Sequence, residues 1–266
     1  MITIETNERI RVITLSRPDA RNAVNPALAQ ALYEAMLAFD ADPEVDVAVL
    51  TGAGGTFCAG FDLKSAAGGD GIAWINSLAI PDAWVDPIGT PLPGPMGPSR
   101  LMLSKPVVAA IEGSAVAGGM ELALWSDIRI AAEDVQFGVY CRRWGVPLID
   151  GGTVRLPKVV GQGRANDLIL SGRPVAAQEA SHIGLADRVV ASGHALAAAL
   201  EFAGSLTRFP QGCMRADFLS SRGSPVELAA SLRREWNSAG MVLAEGVAGA
   251  TRFAKGHGRG GRFDDL

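Results

Sequence analysis

Two runs of small and β-branched apolar residues each break off into a glycine-rich turn, and a helical pattern follows each turn. The first is VDVAVLTG, residues 45–52, leading into GAGGTFCAGFDL, residues 52–63. The second is VVAAIEG, residues 107–113, leading through Ala117-Gly118-Gly119 to an apolar stretch that ends near Trp125. Runs of this kind read as strands buried on both faces, so layers must cover the sheet on either side, as in an α/β body. A turn that opens a helix exposes backbone N–H groups without internal partners, carrying partial positive charge. Two such turns side by side suit the clamping of one carbonyl oxygen, and they favour an oxyanion or enolate over the ground-state carbonyl. The alternatives are glycines that only relieve close packing, and a dinucleotide turn. The latter fits poorly: after Gly52 and Gly54, Phe57 stands where G-x-G-x-x-G needs a third small residue.

The rest of the chain fits an α/β body. Residues 2–6 and 10–16 read as strands around a turn at Asn7-Glu8. Asn25-Pro26 offers an N-cap and first helical position for a helix over 26–40, with Leu28, Leu32, Ala35 and Phe39 at helical spacing. Asp127 to Glu133 alternate as a further strand. Residues 65–100 are rich in Gly and Pro, and a short helix near 72–79 is expected within a loop that covers a site. Beyond 153 the periodicity is helical, over 153–160, 164–171, 176–182, 193–208, 212–221 and, with breaks, 226–255. The expected organisation is a core over 1–195 and a C-terminal helical region over 196–266.

With 266 residues, 48% hydrophobic and 20% charged, the chain has ample material for a core. Net charge is −4 and no concentrated basic footprint precedes residue 252, which argues against a nucleic-acid partner. Cys58, Cys141 and Cys213 are scattered and lack metal-type spacing, so neither a disulfide framework nor a zinc site is expected. The start, MITIETNERI, carries charges where a signal sequence is apolar, and no apolar run approaches the ~20 residues needed to span a bilayer. A cytoplasmic protein with no membrane partner is the expectation.

The string TFCAGFDLK, residues 56–64, resembles the first signature block of the enoyl-CoA hydratase/isomerase (crotonase) family, and EGSAVAGGMELALWSD, residues 112–127, resembles its second. VQFG (135–138), GGTVRLP (151–157), GQGRA (161–165) and ASHIGLAD (180–187) match in the same order. The resemblance implies an α/β fold, a spiral of repeated β-β-α units whose C-terminal helices assemble homotrimers, often paired into homohexamers. It implies an acyl-CoA substrate, with coenzyme A part of the substrate and no metal or redox cofactor. By the same resemblance the N–H groups of Phe61 and Gly118 form an oxyanion hole, with Gly119 beside it, and the Ala59 carbonyl meets the adenine amino group. Lys64 and Lys255 are candidates for the CoA phosphates, with solvated side chains as the alternative. Tyr140 and Trp144 are expected to line the acyl pocket, and Arg142 or Arg143 to read a polar substrate tail. Asp62 reads as a helix cap.

Glu121 lies three residues after Gly118, on the same helix face one turn along, where a carboxylate next to an oxyanion hole is a candidate base. In the family's hydratases this position carries one of two catalytic glutamates. The position of the second is Cys141, which cannot hold water as a carboxylate does. Asp150 matches the place where some members carry a working aspartate, and its alternative role is to cap the helix near Thr153. Cys141 beside Arg142-Arg143 also admits reading as a nucleophile, but inert packing is preferred because no histidine is placed to serve it. With Glu121 and Asp150 moving protons, isomerisation or a specialised lyase reaction is favoured; hydration of 2-enoyl-CoA and non-catalytic acyl-CoA binding are the alternatives.

Overall fold

The computed structural model describes residues 1–258. In chain order the strands are β1 (Ile2–Asn7), β2 (Ile10–Leu15), β3 (Val47–Gly52), β4 (Val107–Ile111), β5 (Ser114–Val116), β6 (Ile128–Ala132), β7 (Gln136–Gly138), β8 (Val175–Ala176) and β9 (Arg188–Val190). The helices are α1 (Pro26–Ala41), α2 (Leu63–Gly68), α3 (Asp70–Ser77), α4 (Gly118–Trp125), α5 (Gly152–Val160), α6 (Gln162–Ser171), α7 (Ala177–His182), α8 (Ala195–Leu206), α9 (Gln211–Ser221), α10 (Pro225–Trp236) and α11 (Val247–Ala254). A six-stranded sheet runs in the order β1-β2-β3-β4-β6-β9, antiparallel only between β1 and β2. A small sheet, β5-β7-β8, lies beside it.

The apolar runs are explained by what covers each face. Ala48, Leu50, Ala109 and Ile111 join the core under α1, where Leu28, Leu32, Met36 and Phe39 pack. Their neighbours Val47, Val49, Val108 and Ala110 point the other way and meet Ala195, Ala199 and Ala203 of α8. The one-turn spacing of those alanines lets α8 lie close on the sheet. A helix expected in the C-terminal region is thus the second layer of the core. The cap on α1 is as expected: the Asn25 side chain accepts from the Leu28 amide at 3.0 Å.

Residues 65–100 are better ordered than a bare loop. The short helix falls at 70–77, and the irregular stretch after it is pinned from within. Arg100, fully buried, donates to the carbonyls of Leu78 (2.8 Å) and Pro93 (3.0 Å). Trp74 Nε1 donates to Pro95 and Trp84 Nε1 to Thr90. The strands β5, β7, β8 and β9 are two or three residues long, too short for a periodic signal, and the sequence reading missed them. Among the described residues, no helix is long and apolar enough to cross a membrane.

Candidate active site

The two glycine-rich turns are zipped together. Phe57 N donates to Glu112 O (2.8 Å), Cys58 N to Ser114 O (2.9 Å) and Val116 N to Cys58 O (3.1 Å). On the other side of the first turn, Val24 N donates to Gly60 O and Asp62 N to Val24 O, both at 2.8 Å. This pairing uses the groups flanking Phe61, so the Phe61 N–H itself points away from Val24. A Cβ added to Gly60 would stand 3.0 Å from Gly118 N, so the two turns touch where the Phe61 and Gly118 amides emerge. Gly118 N is the first amide of α4 and has no intrahelical acceptor. Among the described residues, neither amide is spent on a backbone or side-chain acceptor. Gly119 serves the site differently. A Cβ there would overlap the Cys58 carbonyl oxygen, so its lack of a side chain lets the turns close. Ala117 enters α4 with φ +52 and ψ −127, a region that favours glycine. Such a backbone costs about 1–3 kcal/mol and persists only where the surroundings impose it.

Ile149 and Asp150, which lead into α5, line the same cavity as these amides. Glu121, 4% exposed, reaches the start of α5 from the first turn of α4: its Oε1 accepts from Asp150 N and Gly152 N, both at 2.9 Å. Asp150, 3% exposed, accepts at Oδ1 from Met96 N (2.8 Å) and from the Ser99 hydroxyl. It does not cap its own helix; Gly151 is the N-cap, and no side chain of the turn fills that role. The α5 amides are instead taken from afar, by Glu121 and by Glu235 of α10, whose oxygens accept from Gly151 N (2.6 Å) and Thr153 N (2.8 Å). Arg155 Nη2 donates to Ser99 O (2.7 Å), and Arg100 stacks over the Trp236 ring at 4.3 Å.

Burial dominates the electrostatics here. It pushes the Glu121 carboxyl well above the usual carboxylate range, and the negative charges of Asp150 and Glu235 push it further. Asp150 is also raised by burial, but Ser99, Met96, Arg100 and Arg155 counter the rise. Arg100 and Arg155 are both lowered to about 10, again mainly by burial. Cys141 is pushed up to about 12 by burial and then by the charge of Glu121, so it is a neutral thiol at neutral pH. That agrees with inert packing rather than a nucleophile.

One cavity of about 680 Å³ gathers most of the expected residues. Ala59, Phe61, Lys64, Gly118, Glu121, Tyr140, Cys141, Trp144 and Asp150 all line it. Lys64 stands at its exposed rim with Arg17 and Arg21, while Asp62 caps α2 through Lys64 N (3.0 Å) and pairs with Arg17 (2.9 Å). Ile75, Met96, Val146, Ile149 and Val242 supply apolar wall. Three expected residues are not brought there. Arg142 is exposed and donates to the Ile169 carbonyl at 3.2 Å, because the turn at 140–144 aims it outward while Arg143 lies over the Tyr140 ring. Gly119 is buried behind the cavity, and Lys255 is exposed at the end of α11, outside the lining. What α11 contributes is Phe253, whose ring meets Trp144 edge-on at 5.4 Å. Of the basic tail expected over 252–262, residues 259–262 lie outside the described residues. Sequence reasoning missed Ser99, Arg100, Arg155 and Glu235. For Arg100, Arg155 and Glu235 the only signal is the cost of burying a charge without partners, and for Ser99 that of burying a hydroxyl, both visible once the fold is known. Among the described residues, no group of His, Cys, Asp or Glu is arranged to hold a metal ion.

Comparison with known proteins agrees with this construction. The chain matches the enoyl-CoA hydratase/isomerase family over residues 5–84 and 99–217. It is 36% identical over 211 residues to the enoyl-CoA hydratase EchA19 of Mycobacterium tuberculosis, covering 77% of this chain and 73% of that protein. It is 38% identical over 209 residues to a carnitinyl-CoA dehydratase of Salmonella arizonae, covering 78% and 74%. Among solved structures, a carnitinyl-CoA hydratase from Mycobacterium avium superposes with TM-score 0.82 at 31% identity, covering 96% of this chain and 95% of the other. An enoyl-CoA hydratase from the same organism superposes with TM-score 0.74 at 35% identity, covering 91% and 97%. With its two joined turns, its crotonase fold and these relatives, the chain belongs to the enoyl-CoA hydratase/isomerase family of acyl-CoA enzymes.

Proposed function

We propose that this family member is a lyase that reversibly adds water across the Cα–Cβ double bond of an enoyl-CoA. The observation that carries the reading is the pair of buried carboxylates, Glu121 and Asp150, opening on one cavity beside the Phe61 and Gly118 amides. Burial and mutual repulsion keep such a pair from ionising together, so one member holds a proton while the other is charged. Glu121 is raised further, and the Arg100 and Arg155 charges favour the ionised form of Asp150. In the hydration direction Asp150 takes a proton from water as its oxygen bonds to Cβ. The electrons move onto the thioester oxygen, where the two amides stabilise the enolate. Glu121 then delivers a proton to Cα, and dehydration reverses each step. Coenzyme A is part of the substrate, and the mechanism calls for no further cofactor. Relatives named as hydratases and dehydratases support this chemistry over isomerisation.

Cys141 favours a second reading, in which a single carboxylate shuttles a proton between two carbons of a 3-enoyl-CoA. The deciding experiment presents 2-enoyl-, 3-enoyl- and 3-hydroxyacyl-CoA in ¹⁸O-labelled water. Label at Cβ of a 3-hydroxyacyl product supports the lyase. Conversion of 3-enoyl to 2-enoyl without label supports the isomerase. Binding with no turnover across the panel leaves a non-catalytic acyl-CoA-binding protein. We further propose assembly as a homotrimer or homohexamer through residues 196–266, testable by analytical ultracentrifugation.

A further inference from the structure

We infer that Glu235, on the C-terminal helix α10, is a positioning residue for Glu121: it fixes the 150–153 turn whose alternate amides hold the Glu121 carboxylate. The inference rests on the reading of Glu121 as a proton-transfer group. Four successive amides divide strictly between two carboxylates. Asp150 N and Gly152 N go to Glu121, whereas Gly151 N and Thr153 N go to Glu235. The Thr153 hydroxyl adds a third donor to Glu235 at 2.7 Å. Gly151 permits the alternation, because its φ of +90 turns its amide to the opposite side from its neighbours. A Cβ added to Gly152 would come 2.9 Å from Glu121 Oε1, so the turn sits hard against that carboxylate.

A helix start gripped from one side only would be free to rock about its own axis. Glu235, 7% exposed, supplies the opposing grip, and a shift of the turn on its side displaces Glu121 Oε1 on the other. The amides that Glu121 accepts from belong to the turn and not to α10, so this influence runs through the backbone and through space. The charged and titratable groups facing the pair are Asp150, Arg100, Arg155 and Cys141. Burial raises the Glu235 carboxyl too, countered by the Thr153 and Gly151 hydrogen bonds and by Arg155, and in its ionised form it favours a protonated Glu121. Replacing it by a neutral group therefore lowers the proton affinity of Glu121.

The test compares Glu235→Gln and Glu235→Asp with wild type. The amide of Gln faces a backbone N–H with a donor in place of an acceptor, and Asp keeps the charge on a shorter arm. We expect kcat to fall at least ~10-fold in both with KM for the acyl-CoA within about twofold. With kcat measured for hydration, where Glu121 gives the proton, the alkaline limb of the profile should move to lower pH in Glu235→Gln and stay near its wild-type position in Glu235→Asp. A purely structural cap would lower the folded fraction and leave both the limb and the kcat per folded molecule unchanged, which overturns the inference. If Glu235→Gln does not fold, wild-type kcat in Glu235→Asp overturns it alone. An activity-independent reading separates failure here from failure of the lyase assignment. The infrared band of the protonated Glu121 carboxyl, identified by its loss in Glu121→Gln, should titrate at lower pH in Glu235→Gln even if no substrate is found.

Discussion

The two ends of the cavity are built by opposite means. At the amide end, the turn that carries Phe61 follows β3 and the turn that carries Gly118 follows β5 of the small sheet, and backbone pairing of Phe57 and Cys58 with residues 112–116 brings them together. Backbone groups do the work there, and the side chains that matter are the ones that are missing. At the carboxylate end, Glu121, Asp150, Ser99, Arg100, Arg155 and Glu235 come from four separate parts of the chain. Charged side chains do the work, and tertiary packing rather than backbone pairing collects them. A backbone device is sensitive to added volume, and a side-chain device to altered charge. The same substitution type should therefore behave differently at the two ends.

The largest effect is expected from removing charge at the second end. Glu121→Gln keeps an oxygen for the Asp150 and Gly152 amides but cannot transfer a proton, so kcat should fall ~10²–10⁴-fold with the fold intact, as steady-state kinetics would show. Next is volume at the first end. Gly119→Ala drives a methyl into the Cys58 carbonyl and parts the turns, and displacing one oxyanion donor costs roughly 10²–10³ in kcat. Gly163→Ala, where nothing lies within 4 Å among the described residues, is the matched control and should leave kcat unchanged. Asp150→Asn should lower turnover about 100-fold and remove the acid limb of the hydration profile. Wild-type rates in that variant would assign Asp150 to structure alone.

The same contrast explains what was legible before the structure. The amide end is written in contiguous blocks, 56–64 and 112–127, and both amide donors assigned there from sequence, Phe61 and Gly118, line the cavity, whereas Gly119 does not. The α1 helix, the buried strands and Asp62 as a cap were likewise local, since each depends on neighbours a few residues away. Glu121 was legible because it lies one turn from Gly118. Asp150 was placed, but its partners were not: Ser99 and Arg100 are 51 and 50 residues away in sequence, and nothing in the Pro-rich stretch from 91 to 98 marks a buried network. Glu235 sits in an ordinary amphipathic helix, PVELAASLRREW, where a glutamate reads as solvated surface. Arg142 and Arg143 are adjacent in sequence, and only the turn at 140–144 decides which one faces the cavity.

A further prediction concerns stability, and its sign follows from burial. Glu121 has a folded-state proton affinity above its unfolded value, so the stability it contributes is fully present at pH below the unfolded value. That contribution is lost as pH rises through the raised folded value, because the fold must then hold a buried charge. Glu121→Gln removes this dependence. Thermal melts across pH 5 to 8 should show a Tm that declines less in the variant than in wild type, with the variant the more stable at the alkaline end. An equal decline in both would place the titration elsewhere in the carboxylate cluster.

The smallest effect returns to the amide end and isolates its backbone from its chemistry. Ala117 holds φ +52 at the entry to α4, fixed by its amide on Gly138 O (2.8 Å) and its carbonyl on Met120 N (3.0 Å). Ala117→Gly relieves that conformation and loses a partly buried methyl, while the unfolded chain gains freedom. The first term is about 1–3 kcal/mol and the last about 0.4–1 kcal/mol in the opposite sense. A net gain of about 1 kcal/mol in a denaturant titration is expected, provided the methyl contributes little packing beside Gly60. If Ala117→Gly is instead destabilised, the methyl is wedging the two turns apart at the spacing an oxyanion needs. A fall in kcat alongside the lost stability would then make Ala117 the one side chain on which the amide end depends.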